Sequence, residues 1–165
     1  MQPADVEEDE SGEPRELVCA NALRKARAVA AGAGDRTVLG VDTAVFVGER
    51  SYGKPNDERE ARAHLEALSG RTHDVWSGVA LIDGAGERVE AIRSSVTFRS
   101  LDDRTISWYV ASGEWRERAG GYAIQGRGAA LVSAIDGDYS NVVGLPVPLL
   151  ADMAPELLFS PAVEA

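Results

Sequence analysis

Residues 37–47, Thr37-Val38-Leu39-Gly40-Val41-Asp42-Thr43-Ala44-Val45-Phe46-Val47, form a near-continuous apolar run of strand length. A run of this kind fits a strand covered on both faces in an α/β sheet. Asp42 and Thr43 interrupt it. A carboxylate in such a strand costs several kcal/mol unless it is paired, ligated or solvated in a cleft. Two readings stay open for Asp42. It is either a strand-end acceptor of backbone hydrogen bonds, or a carboxylate that activates water or holds a metal ion.

On the N-terminal side, Ser11 to Glu13 cap a helix with Pro14 in its first turn, where a missing N–H costs nothing. The helix is predicted to reach Ala31 and stop at Gly32 and Gly34. Val18, Ala22, Lys25 and Val29 fall on one stripe of it, so Lys25 projects from the margin of the buried face. On the C-terminal side, the loop Gly48 to Pro55 precedes a second helix, capped by Asn56 or Asp57 and ending at Leu68. Val75–Ile82 and Val89–Phe98 read as a hairpin turning around Gly84 and Gly86. A third helix runs from Asp102 or Asp103 through Val110. Short strands follow near Tyr122–Ile124 and Ala130–Ile135, then a turn over Asn141–Pro148 and a last helix to about Leu158. Helices alternating with strands, plus a hairpin, predict an α/β fold with a mixed sheet flanked by helices, in a single domain over residues 1–165.

Composition narrows the function. At 165 residues with 44% hydrophobic and 27% charged content, the chain can bury a continuous core. The acidic first dozen residues resemble neither a secretory signal nor a transit peptide, and no apolar run is long enough to span a bilayer. The lone Cys19 excludes an internal disulfide, so the expected compartment is the cytoplasm. A net charge of -10 argues against nucleic acid or an anionic membrane as partner. Of 17 basic residues only two, Lys25 and Lys54, are lysine. Lys54 sits in the rigid turn Gly53-Lys54-Pro55, which can aim an ammonium group. For Lys25 alone, snorkelling of the amine into water is the plainer reading. Together with Asp42, the two lysines suggest an anionic ligand carrying a divalent ion, and phosphate is the obvious anion. Replacing either lysine with Met is then expected to weaken binding or turnover while leaving thermal stability nearly unchanged. His64, mid-helix among charges, reads as solvated. With two histidines and no nearby cysteine, no zinc site is expected.

These segments, in order, resemble the Maf-like family of nucleoside triphosphate pyrophosphatases. The resemblance is carried by Asn21 to Ala26, Val41-Asp42-Thr43, Gly53-Lys54-Pro55, and Leu68-Ser69-Gly70-Arg71-Thr72-His73. It continues through Phe98-Arg99, Gly113-Glu114, Ile124-Gln125-Gly126 and Gly137-Asp138-Tyr139-Ser140-Asn141-Val142-Val143-Gly144-Leu145-Pro146. Each motif is weak alone; the ordered set is specific. The resemblance implies an inosine-triphosphatase-like fold with a substrate cleft. It implies hydrolysis of a nucleoside triphosphate to the monophosphate and pyrophosphate with Mg2+ or Mn2+. Asp42 would accept the proton of the attacking water, Lys25 and Lys54 would neutralise the triphosphate, and Glu8 with Asp42 would hold the metal. Thr43 and Gln125 resemble the branch that prefers dTTP and UTP, and both can hydrogen-bond a pyrimidine edge. A homodimer is implied as well.

Two other readings compete. One is a non-catalytic nucleotide-binding protein connected with septum formation; the other is a pyrophosphatase for another nucleotide, such as 7-methyl-GTP or inosine triphosphate. Family members open with an apolar strand and a Ser-x-Ser-Pro-Arg-Arg loop, and Met1 falls after that segment. The expectation is a late start or a truncation, with activity impaired in the chain as it stands.

Overall fold

The structure, a computed structural model, describes residues 6, 9 and 12–159. It begins with helix α1 (Pro14–Ala30), whose cap is Glu13: the side chain accepts the Glu16 N–H at 3.0 Å. Strand β1 (Val38–Val47) turns back into the short β2 (Arg50–Tyr52). Next come α2 (Glu58–Leu68), capped by Asp57, and the long hairpin β3 (Thr72–Asp83) and β4 (Gly86–Phe98). Helix α3 (Asp103–Ser112) is capped by Asp102 and closed by Gly113 in the left-handed region. After a looped segment come β5 (Val132–Asp136), the one-turn helix α4 (Tyr139–Val143), α5 (Val147–Met153) and α6 (Pro155–Phe159). No helix among the described residues is long and apolar enough to cross a membrane.

The strands form one five-stranded sheet in the order β2-β1-β3-β4-β5. The predicted α/β architecture is present, and every pairing among the described residues is antiparallel. Short turns make this possible: β1 to β2 and β3 to β4 are hairpins, which need no crossover helix.

Two glycines bring α1 onto the sheet. Gly40 and Gly78 lie on the same face of β1 and β3, beneath the helix. A Cβ at Gly78 would stand 2.2 Å from the Val18 carbonyl oxygen, and one at Gly40 would stand 2.3 Å from that of Ala22. Any side chain there lifts the helix. With glycine, Ala22 and Ala26 reach Val38 and Ala80, forming a small core on this face. Asp42 is the sheet partner of Gly78, so the same close approach sets Asp42 under the helix. The larger core gathers Val45, Val75, Val96 and Phe98 against α2, α3 and Trp115. Leu81 packs against Leu150 and Ala154 in a third cluster.

Four sequence expectations need correction. Arg50–Tyr52 is a strand, not loop, but three residues carry no periodicity to read. Tyr122–Ile124 is not a strand. All three residues are buried, and the Ala123 N–H is satisfied by the Tyr109 hydroxyl at 2.9 Å instead of a sheet partner. The turn over Asn141–Pro148 starts within α4, and the last helix breaks at Ala154 because Pro155 has no N–H to continue it.

His73 lies inside the larger core, 2% exposed, with Nε2 2.9 Å from the Tyr122 hydroxyl and its ring edge-on to Phe98. Burial, with Asp74 acting in the opposite direction, lowers its pKa to about 4. Between that value and 6.5 the unfolded chain binds a proton at His73 that the folded chain refuses. The stabilisation is therefore complete above pH 6.5 and is lost as pH falls toward 4. From pH 7 to pH 5 the loss from this group amounts to about 2 kcal/mol. Urea unfolding at the two pH values checks it: the drop should shrink by that amount in His73→Gln, and an identical drop in both proteins would refute the assignment.

Candidate active site

An open cleft of about 1370 Å³ runs between α1, the middle of β1, the β2–α2 connection and the loop before β5. It is larger than a typical small-molecule pocket and has room for a nucleotide. Asp42, 6% exposed, lies in its wall. Lys25 reaches across from α1, and its Nζ donates to Asp42 Oδ1 at 2.5 Å. Asn21, one turn earlier on the same helix, donates from Nδ2 to Asp42 Oδ2 at 3.3 Å. Among the described residues each carboxylate oxygen thus has one side-chain donor, which leaves a lone pair for water or a ligand.

Asn21 was quoted in the sequence only as part of a motif, with no role given to it. It is 2% exposed, and its amide also grips the backbone of Asp9: Oδ1 accepts the Asp9 N–H at 2.9 Å and Nδ2 donates to the Asp9 carbonyl at 3.0 Å. Arg24 donates to the same Oδ1 at 2.8 Å and pairs with the Asp9 carboxylate at 2.7 Å. The signal was available, because Asn21 and Lys25 are four residues apart and so share a helix face. The pairing also corrects one expectation. Lys25, with 20% of its side chain exposed, is not simply snorkelling but is the charge partner of a buried carboxylate, so its removal is expected to cost stability.

The other site residues are placed differently. Lys54 lines the cleft from the β2–α2 connection and is 56% exposed, with Glu117 3.7 Å away. So loose an exposed pair contributes little, and the ammonium is available to a ligand. Thr43 also lines the cleft. Neighbouring strand residues point to opposite faces, so its side chain leaves the sheet opposite Asp42, where Oγ1 meets Ser77 Oγ at 2.8 Å. Gln125 is exposed and lines the cleft from the far loop. Glu8 lies outside the described residues. His64 is corrected: it is 8% exposed, edge-on to Tyr52 at 5.3 Å, and lines the cleft. Burial lowers its pKa, with Glu60 acting in the opposite direction.

Electrostatically the cleft differs from the rest of the molecule. Among the described residues, Lys25, Arg50, Lys54 and Arg118 line the cleft together with Asp9, Asp42, Glu60 and Glu117, a balance of charge inside a chain of net -10. Arg50 and Arg118 were missed in the sequence, where 15 arginines give none of them prominence. No three His, Cys, Asp or Glu side chains gather into a metal cage among the described residues. A cage is not what Mg2+ requires; it is commonly held by one or two carboxylates together with substrate phosphates and water.

Comparison with known proteins places the chain among named relatives. The protein named dTTP/UTP pyrophosphatase of Moorella thermoacetica is 52% identical over 136 residues, covering 81% of this chain and 70% of its own. That of Symbiobacterium thermophilum is 51% identical over 134 residues, covering 81% and 69%. The protein of the same name from Gloeobacter violaceus is 44% identical over 158 residues, covering 94% and 83%. Residues 1–157 match the family described as Maf-like protein, and the chain belongs to that family.

Proposed function

We propose that this chain hydrolyses dTTP and UTP to the monophosphate and pyrophosphate. The observation that carries the reading is the buried Asp42 carboxylate, held between Lys25 and Asn21 in the wall of a nucleotide-sized cleft. The names of relatives at 44–52% identity support the substrate. In this reading, water bonds to the α-phosphorus while the bond from that phosphorus to the bridging oxygen breaks. The water's proton passes to a free lone pair of Asp42, and the electron pair leaves with pyrophosphate. Catalysis of this kind rests on positioning and on charge stabilisation rather than on covalent chemistry. Lys25 and Lys54 hold the triphosphate oxygens, and Gln125 offers the base both a donor and an acceptor.

Lys25 and Lys54 carry less positive charge than a triphosphate carries negative, which supports a divalent cation entering with the substrate. Asp42, with Glu8 from the polar lead, would hold Mg2+ or Mn2+, which supplies further neutralisation of the phosphate oxygens. The enzyme so read is cytoplasmic, as its composition suggests, and a homodimer, as the family resemblance implies.

The test is product analysis across a nucleotide panel with Mg2+ or Mn2+. Monophosphate and pyrophosphate should appear, fastest from dTTP and UTP. Release of orthophosphate and a diphosphate would place the cut at the wrong bond, and equal rates on purine triphosphates would remove the base preference.

A further inference from the structure

Gly113-Glu114 closes α3 and has no part in the chemistry above, yet its carboxylate reaches the loop that carries Gln125. The Glu114 N–H donates to Ser112 Oγ at 3.2 Å, and Glu114 Oε2 accepts the Arg127 N–H at 2.7 Å. Between them lies Gly126, where a Cβ would stand 2.3 Å from Glu114 Oε2 and 3.0 Å from its Cδ. The carboxylate therefore occupies the space of a side chain at 126. The other end of the segment is tied to the same helix, through the Ala123 N–H on the buried Tyr109 hydroxyl. A turn closed by the Gly126 N–H on the Ala123 carbonyl at 3.1 Å joins the two anchors. The Gln125 side chain, exposed at the cleft, is left as the variable part of a clamped loop.

We infer that Glu114 is a positioning residue for nucleotide selection: it fixes the Ile124-Gln125-Gly126 turn so that the Gln125 carboxamide faces the base. The inference rests on the reading of Gln125 as the group that meets the base. Glu114 is about one third exposed (32%), so it is a poor candidate for a core residue, but a carboxylate on a backbone N–H is a strong local tie. Without it, Gln125 has somewhere else to go. A second cavity of about 330 Å³, lined by Gln125 together with Glu114, Arg116 and Arg118, adjoins the turn.

The experiment is a double-mutant cycle read as kcat and KM for dTTP and for inosine triphosphate. Gln125→Ala should reduce the preference for dTTP by about tenfold, the worth of one well-made hydrogen bond. Glu114→Ala should reduce it comparably, mainly through KM for dTTP. The double variant should be no worse than Gln125→Ala alone, because both changes remove one interaction. Glu114→Gln, which keeps an acceptor for the Arg127 N–H, should restore most of the preference. If Gln125→Ala loses the preference while Glu114→Ala keeps it, the latch is overturned and the base reading stands. Multiplicative losses in the double variant, or equal losses on both nucleotides, overturn the latch too. A preference unchanged in Gln125→Ala, or absent from the parent, overturns the base reading together with the latch.

Discussion

Replacing Asp42 with Asn lowers turnover of dTTP by about 10²- to 10⁴-fold, the usual contribution of a positioned general base. Asn keeps the volume and one acceptor oxygen but cannot take the proton of the attacking water. The loss falls on kcat rather than KM, because Lys54 and Gln125 still meet the two ends of the nucleotide. The fold survives. Asn21 keeps its two bonds to Asp9, and Lys25, already partly exposed, can turn its ammonium toward water. Steady-state kinetics together with a melting curve decide the matter. Turnover within about tenfold of the parent would mean that Asp42 binds but does not act as base.

How far the sequence foretold this site depends on whether a residue's oddity is local. Asp42 breaks an apolar strand and Lys25 breaks an apolar helix stripe, so each is visible within its own segment, and the sheet brings them together. The caps at Asp57 and Asp102 and the hairpin around Gly84 and Gly86 are equally local and equally legible. His64 is not. It looks solvated among Glu60, Arg62 and Glu66, and its burial is created by Tyr52 and by Gly121, whose Cβ position lies 3.8 Å from that of His64. Tyr122–Ile124 has strand-like residues, but its backbone finds a side-chain oxygen on α3, and such a partner leaves no pattern in the segment itself. Asn21 lies between these cases: its position on the Lys25 face is readable, whereas its grip on Asp9 is not. The opposite placement of Asp42 and Thr43 follows from strand alternation alone and could have been read from their adjacency.

The second large effect is expected at Lys25. Lys25→Met keeps an unbranched stem of similar length on α1 and removes the charge that faces Asp42. Leaving one partner of a buried pair uncompensated costs about 3–5 kcal/mol. The 20% exposure of the Lys25 side chain, which lets water reach the site, puts the expected loss at the lower end of that range. Turnover should fall as well, since the ammonium is both a triphosphate contact and the donor that orients Asp42 Oδ1. The double variant Lys25→Met/Asp42→Asn separates the two roles. With no charge left to compensate, it should recover most of the lost stability in urea unfolding. It should stay inactive, because both the base and the cation are gone. Equal destabilisation in the single and double variants would assign the loss to packing of the lysine stem. Unchanged stability in Lys25→Met would mean that water, not Lys25, compensates the Asp42 carboxylate.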